Sequence, residues 1–132
     1  MAKASIEMAC WDLAAKSRGV SLSALLGGTR EAIATGISLG IQRRPEVLAD
    51  RAKAALAEGY RRIKLKIAPG ADLAFVRAVR DALGYEAPVM VDANGAYTLD
   101  QAVRLRELDA FDLLMIEQPL GHDDLEIGRA HV

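Results

Sequence analysis

The segment Ile63-Lys64-Leu65-Lys66-Ile67 alternates aliphatic and cationic residues with a period of two. Successive side chains point to opposite faces of a β-strand, so the three aliphatic residues share one face and the two lysines the other. Two further apolar runs also end in polar residues. Val89-Met90-Val91 leads into Asp92-Ala93-Asn94, and Leu113-Leu114-Met115-Ile116 leads into Glu117-Gln118-Pro119. From Lys66 to Asp92 is 26 residues and from Asp92 to Glu117 is 25, about the length of one strand plus one helix in a repeating β/α protein.

The segments between these strands read as helices. Pro45 opens one at its first turn, where a missing N–H costs nothing. Val47, Leu48, Ala52, Ala55 and Leu56 form its apolar face, and Gly59 ends it. Asp72 is placed to cap a helix running to Leu83. Thr98 and Gln101 form a T-x-x-Q capping box for another, running to about Leu108. A first strand falls within Ile33 to Ile41. Upstream, Ile6, Cys10 and Leu13 mark a helix over Lys3 to Lys16 that stops at Arg18-Gly19, and Leu25-Leu26-Gly27-Gly28 forms a turn. The order β-α-β-α-β-α-β implies a parallel sheet. A Rossmann-type sheet would need a glycine-rich loop after its first strand; Gly36 and Gly40 instead lie within that strand region, and no G-x-G-x-x-G occurs. Polar residues at successive strand ends fit a (β/α) barrel, whose chemistry sits at that rim. The expected fold is α/β: a partial (β/α) TIM-type barrel of about four βα units, preceded by a helix.

A net charge of −1 over 132 residues gives no reason to expect nucleic-acid or membrane binding. No apolar run reaches the roughly 18 residues of a membrane span, and the N-terminus lacks a secretory apolar segment. The single Cys10 suits a cytoplasmic location and is expected to be a buried, inert thiol. Trp11 is assigned to core packing, Arg61-Arg62 to a solvated strand entrance, and His122 beside Asp123 and Asp124 to a solvated loop.

Lys64 and Lys66 should face the barrel interior near its mouth. Two adjacent ammonium groups depress each other's pKa, and partial burial adds to this, so one of them could serve as a general base. Asp92 and Glu117 each follow an apolar strand, where a carboxylate is costly unless it is paired or binds a cation. Hard oxygens from separate strands suit Mg²⁺; a structural salt bridge to the lysines is the alternative. Asn94 could orient Asp92, touch substrate or cap its loop. Ser38, late in the first strand, is a candidate substrate-facing hydroxyl or a serine bonded to its own backbone.

Together, the K-L-K strand, the D-A-N strand end and the M-I-E-Q-P-L strand end resemble the enolase superfamily, and within it the branch of o-succinylbenzoate synthase and N-acylamino acid racemase. Trp11-Asp12-Leu13, Leu25-Leu26-Gly27-Gly28, Gly59 to Ile67 and Asp92 to Leu99 extend the similarity over about residues 1 to 125. The resemblance implies that Lys66 removes a proton α to a carboxylate. Lys64 would lower its pKa and contact the substrate carboxylate. Asp92 and Glu117 would be two of three ligands to Mg²⁺, or to Mn²⁺ or another divalent cation. It also implies a small-molecule carboxylate substrate, a cytoplasmic homo-oligomer and, for the dehydratase, a place in menaquinone synthesis. Dipeptide epimerase and muconate-lactonising relatives are the alternatives.

The resemblance further implies a third carboxylate and an opposing lysine, about 25 and 50 residues past Glu117 at the interval seen here. Residues 1–30 are expected to lead from a capping domain into the barrel, and residues 31–125 to form the barrel's first half. Residues 126–132 are read as a non-native tail resembling adapter read-through, and Met1 as an internal methionine. The 132 residues alone are expected to be inactive and poorly folded.

Overall fold

The computed structural model describes residues 2–121, so His122 and the segment 126–132 lie outside the described residues. The chain divides into two compact units, residues 1–33 and 34–132. No helix among the described residues is long and apolar enough to cross a membrane.

The first unit holds α1 (Ala2–Ser17) and a short α2 (Leu22–Leu25). Helix α1 stops where the sequence expects, with Gly19 at a positive φ of 65°, a conformation glycine adopts without penalty. Ser21 caps α2 by accepting the Ala24 N–H at 3.1 Å. Two expectations fail here. Cys10 is exposed rather than buried, and Trp11 is 44% exposed rather than a core residue. Ile6, Met8 and Leu13 are exposed as well, and only Ala15 of α1 is buried. These apolar residues surround the helix instead of forming one stripe, so no single face is marked for burial.

The second unit is the repeating β/α part. Its strands are β1 (Gly36–Leu39), β2 (Arg62–Lys66), β3 (Val89–Asp92) and β4 (Ile116–Glu117), all parallel and ordered β1-β2-β3-β4. Helix α3 (Pro45–Ala57) joins β1 to β2, and α4 (Leu73–Leu83) joins β2 to β3. Pro45 does occupy the first turn of α3. Leu48, Ala49, Ala52 and Ala55 are its buried residues, while Val47 and Leu56 are only half-buried.

The alternation in β2 holds. Ile63, Leu65 and Ile67 are buried with Leu48, Val76, Val79, Val89 and Val91 in one core, leaving Lys64 and Lys66 half-buried. Burial of each such aliphatic side chain contributes roughly 1.5–3 kcal/mol. The segment after β3 departs from a single helix: a 3₁₀ turn (Leu99–Gln101), α5 (Ala102–Arg106) and a second 3₁₀ turn (Glu107–Phe111) follow one another. Its buried residues Leu105, Leu108 and Phe111 recur every third position, the period at which 3₁₀ side chains align.

Buried Arg80 of α4 fixes the connections that enter β3 and β4. Its guanidinium donates to the carbonyls of Gly84 and Ala87, at 3.1 and 2.7 Å, and of Phe111 and Asp112, at 2.7 and 2.6 Å. Four main-chain acceptors are thereby satisfied by one side chain.

Candidate active site

Parallel register builds the site. Lys66 lies opposite Asp92 across β2 and β3, and Asp92 lies opposite Glu117 across β3 and β4. The charged residues therefore converge at the C-terminal ends of three neighbouring strands. Lys66 Nζ donates to Asp92 Oδ2 at 2.6 Å and to Asn94 Oδ1 at 2.6 Å. Lys64 Nζ bridges the two carboxylates, 3.2 Å from Asp92 Oδ2 and 3.1 Å from Glu117 Oε2. Asp92 is only 2% exposed, whereas the lysine side chains are 28% and 30% exposed.

Backbone geometry after β3 places Asn94. The Asn94 N–H donates to Asp92 Oδ1 at 3.0 Å, and the turn runs through positive φ at Asn94 (47°) and Gly95 (73°). Asparagine tolerates this region better than most side chains. Gly95 N–H reaches the Gln118 carbonyl at 2.8 Å. A side chain at Gly95 would press within 3.3 Å of the Leu120 carbonyl, so both its φ and its closeness to the next loop favour glycine.

Electrostatics corrects one expectation. Hydrogen bonds to Glu117 and Asp92 hold Lys64 above the ordinary lysine value, outweighing partial burial. For Lys64 the expected depression is thereby reversed, because the carboxylates lie within direct hydrogen-bonding reach of it. Burial pushes Asp92 up, but the Lys66 hydrogen bond, the Asn94 N–H and Lys64 together hold it below its usual range.

Five of the six expected site residues, Lys64, Lys66, Asp92, Asn94 and Glu117, thus form one hydrogen-bonded cluster. Ser38 does not join it. It faces Lys64 in the β1–β2 register but is exposed, and among the described residues no hydrogen bond ties it to the cluster. As it stands the cluster has the geometry of ion pairs. The donor set nonetheless fits a divalent cation on one side, since two hard carboxylate oxygens already share one positive group. Among the described residues no group of three acidic, histidine or cysteine side chains comes together.

A second charged cluster escaped the sequence. Asp72 caps α4 through the Leu73 N–H at 2.8 Å, and also accepts from Tyr97 Oη at 3.0 Å. Arg104 grips it with Nε at 2.6 Å and Nη2 at 2.7 Å. The one available signal was the capping position of Asp72 at the start of α4.

An all-parallel β/α sheet carrying its charged side chains at the C-terminal strand ends is the opening part of a (β/α) barrel. Residues 47–131 match the enolase C-terminal domain-like family, and residues 1–27 match the mandelate racemase / muconate lactonizing enzyme N-terminal domain. The chain belongs to the enolase C-terminal domain-like family. It is 53% identical over 125 residues to an o-succinylbenzoate synthase of Geobacillus kaustophilus, covering 95% of this chain and 33% of that protein. It is 50% identical to an N-succinylamino acid racemase of Thermus thermophilus, again over 95% of this chain and 34% of the relative. Among solved structures, the dipeptide epimerase of Enterococcus faecalis complexed with Mg and L-Leu-L-Tyr superposes with a TM-score of 0.80 at 35% identity, over 89% of this chain and 34% of that one. The chain spans about a third of the length of these curated relatives.

Proposed function

We propose that this chain supplies one half of the active site of an enzyme that removes the proton α to a carboxylate. The whole protein would act as an o-succinylbenzoate synthase, an N-acylamino acid racemase, or both. The observation that carries this is the placement of Lys66 Nζ 2.6 Å from both Asp92 and Asn94, beside a Lys64 that bridges two carboxylates. A base on a strand end is held rigidly, and an adjoining cation can meet the charge that develops as the proton leaves. Likeness to a synthase and a racemase of such names supports the same chemistry.

In this reading Lys66 in its neutral form takes the α-proton, and Asn94 fixes the direction of its Nζ. Lys64 pairs with the substrate carboxylate. Asp92 and Glu117 would hold a divalent cation, Mg²⁺ in the first instance, which when bound supplies positive charge against the substrate's carboxylate oxygens. A further ligand would come from outside the described residues.

Transfer of the substrate's α-proton to solvent tests the proposal. The full gene product with Mg²⁺ should exchange the α-hydrogen of an N-succinylamino acid for deuterium in D₂O, or dehydrate the cyclohexadiene precursor of o-succinylbenzoate. Lys66→Arg should abolish racemisation or dehydration, whichever is found. Full racemisation or dehydration without Lys66 would overturn its assignment, and inertness of the wild-type protein toward both substrates would overturn the function.

A further inference from the structure

Asp72 has more partners than a helix cap requires. The Leu73 N–H satisfies the capping role, and the Arg104 fork compensates the charge. The additional partner, Tyr97 Oη at 3.0 Å, is also buried. Tyr97 closes the loop that begins at Asp92, and this is the loop that presents Asn94 to Lys66. Its backbone is tied to the following loop through Gly95 N–H to Gln118 O at 2.8 Å and Tyr97 N–H to Pro119 O at 3.1 Å. Its left-handed asparagine is a conformation that persists only where the surroundings hold it. The phenol links this loop to the start of α4.

We propose that Asp72, Tyr97 and Arg104 are positioning residues. By anchoring the Tyr97 hydroxyl, they hold the Asp92–Tyr97 loop in the conformation in which Asn94 accepts a hydrogen bond from Lys66. Arg104 keeps Asp72 ionised and correctly turned, and Asp72 in turn fixes the phenol. The loop geometry stands independently; its consequence for turnover rests on the function proposed above.

Tyr97→Phe in the full gene product removes the hydroxyl and leaves the ring and the Asp72–Arg104 pair. Amide hydrogen exchange at Asn94 and Gly95 should quicken about tenfold, with Ile63 and Val91 in the sheet within twofold of wild type, as expected for local rather than global opening. The rate constant kcat should fall roughly tenfold or more with KM within twofold, the signature of a misplaced catalytic group. Unchanged exchange at Asn94 and Gly95, or equal acceleration at all four amides, overturns the proposal. So does altered loop exchange in an enzyme that keeps its full kcat. Altered loop exchange in a protein whose wild type shows no α-proton chemistry leaves the anchoring intact and refutes only the proposed function. Should Tyr97→Phe fail to fold, Arg104→Lys, which keeps the charge and loses the fork, is read by the same amides and the same outcomes.

Discussion

Asp72 and Asp92 are nearly equally buried, at 3% and 2% exposure, and both are held below the usual carboxylate range, yet their partners are of different kinds. Asp72 is closed on every side by an amide, a phenol and both arms of a guanidinium. Arginine's planar fork matches a carboxylate and cannot lose its proton. Asp92 shares a single oxygen between two ammonium groups at the ends of flexible, partly exposed stems. Lysine stems can swing away, so in the proposed function Asp92 would exchange its partners for a metal or a substrate. Burial and a lowered pKa therefore do not by themselves mark a reactive carboxylate; the exchangeability of its partners does.

The largest effect should come from the exchangeable cluster. Lys66→Ala in the full gene product is expected to lower kcat by roughly 10²–10⁴, the usual contribution of a positioned general base, with little change in the denaturant midpoint. Steady-state kinetics beside urea melts check this. A loss below tenfold, or a large drop in stability, would make Lys66 a structural residue like Arg104 and erase the contrast.

The closed cluster should behave in the opposite way. Asp72→Asn is expected to destabilise the fold by about 2–3 kcal/mol, the scale of hydrogen bonds to charged groups. The 3–5 kcal/mol of a fully buried pair is not reached because Arg104, at 42% exposure, remains in contact with water. Asp92→Asn, by contrast, should shift stability by less than about 1 kcal/mol, since Lys64 keeps Glu117 and Lys66 keeps Asn94 as partners. Urea unfolding of the two variants side by side measures the difference, and equal losses would break the comparison.

Acid should narrow that gap. Burial pushes the Asp72 carboxyl up, but the Arg104 hydrogen bonds, the Leu73 N–H and the Tyr97 hydroxyl outweigh it and hold the group low. A folded pKa below the unfolded one means that the pair's contribution is complete above the unfolded value of about 3.9 and is lost as pH falls through the folded value. The stability difference between wild type and Asp72→Asn should stay flat from about pH 7 to 5 and shrink below about pH 4. A difference that persists undiminished down to about pH 2 would show that the pair's charge is not its contribution.

The two clusters were unequally legible in the sequence. Alternation along Ile63 to Ile67 fixed the face of both lysines, and near-equal intervals brought Asp92 and Glu117 to the same rim, because parallel register turns spacing into proximity. The Asp72–Arg104 pair spans 32 residues between two helical connections, whose relative placement no local pattern states. Only its capping half was visible, at the start of α4. Arg80 was invisible for the same reason, its partners being main-chain carbonyls that carry no sequence signal. Side-chain alternation shows which lysine neighbours which, not which carboxylate approaches closer, so it does not carry the sign of the Lys64 shift. Cys10 and Trp11 are exposed because apolar residues surround α1, so their spacing marks a helix without marking one face for burial.

The smallest effect tests the exchangeable side most directly. Glu117 and Lys64 are 40% and 28% exposed along their side chains and 3.1 Å apart. A pair this wet is worth about 0–1 kcal/mol, so Glu117→Gln should leave the unfolding free energy from urea melts within about 0.5 kcal/mol of wild type. Its carboxylate charge should matter elsewhere. Divalent ions bind through charged oxygens, so calorimetric titration of the full gene product with Mg²⁺ should show at least a tenfold weaker site in the variant, on the scale of about 1.4 kcal/mol. Unchanged stability with weakened Mg²⁺ binding is what a carboxylate kept for exchange must give. Lost stability with unchanged binding would move Glu117 to the same side of the comparison as Asp72, as a residue that holds the fold together.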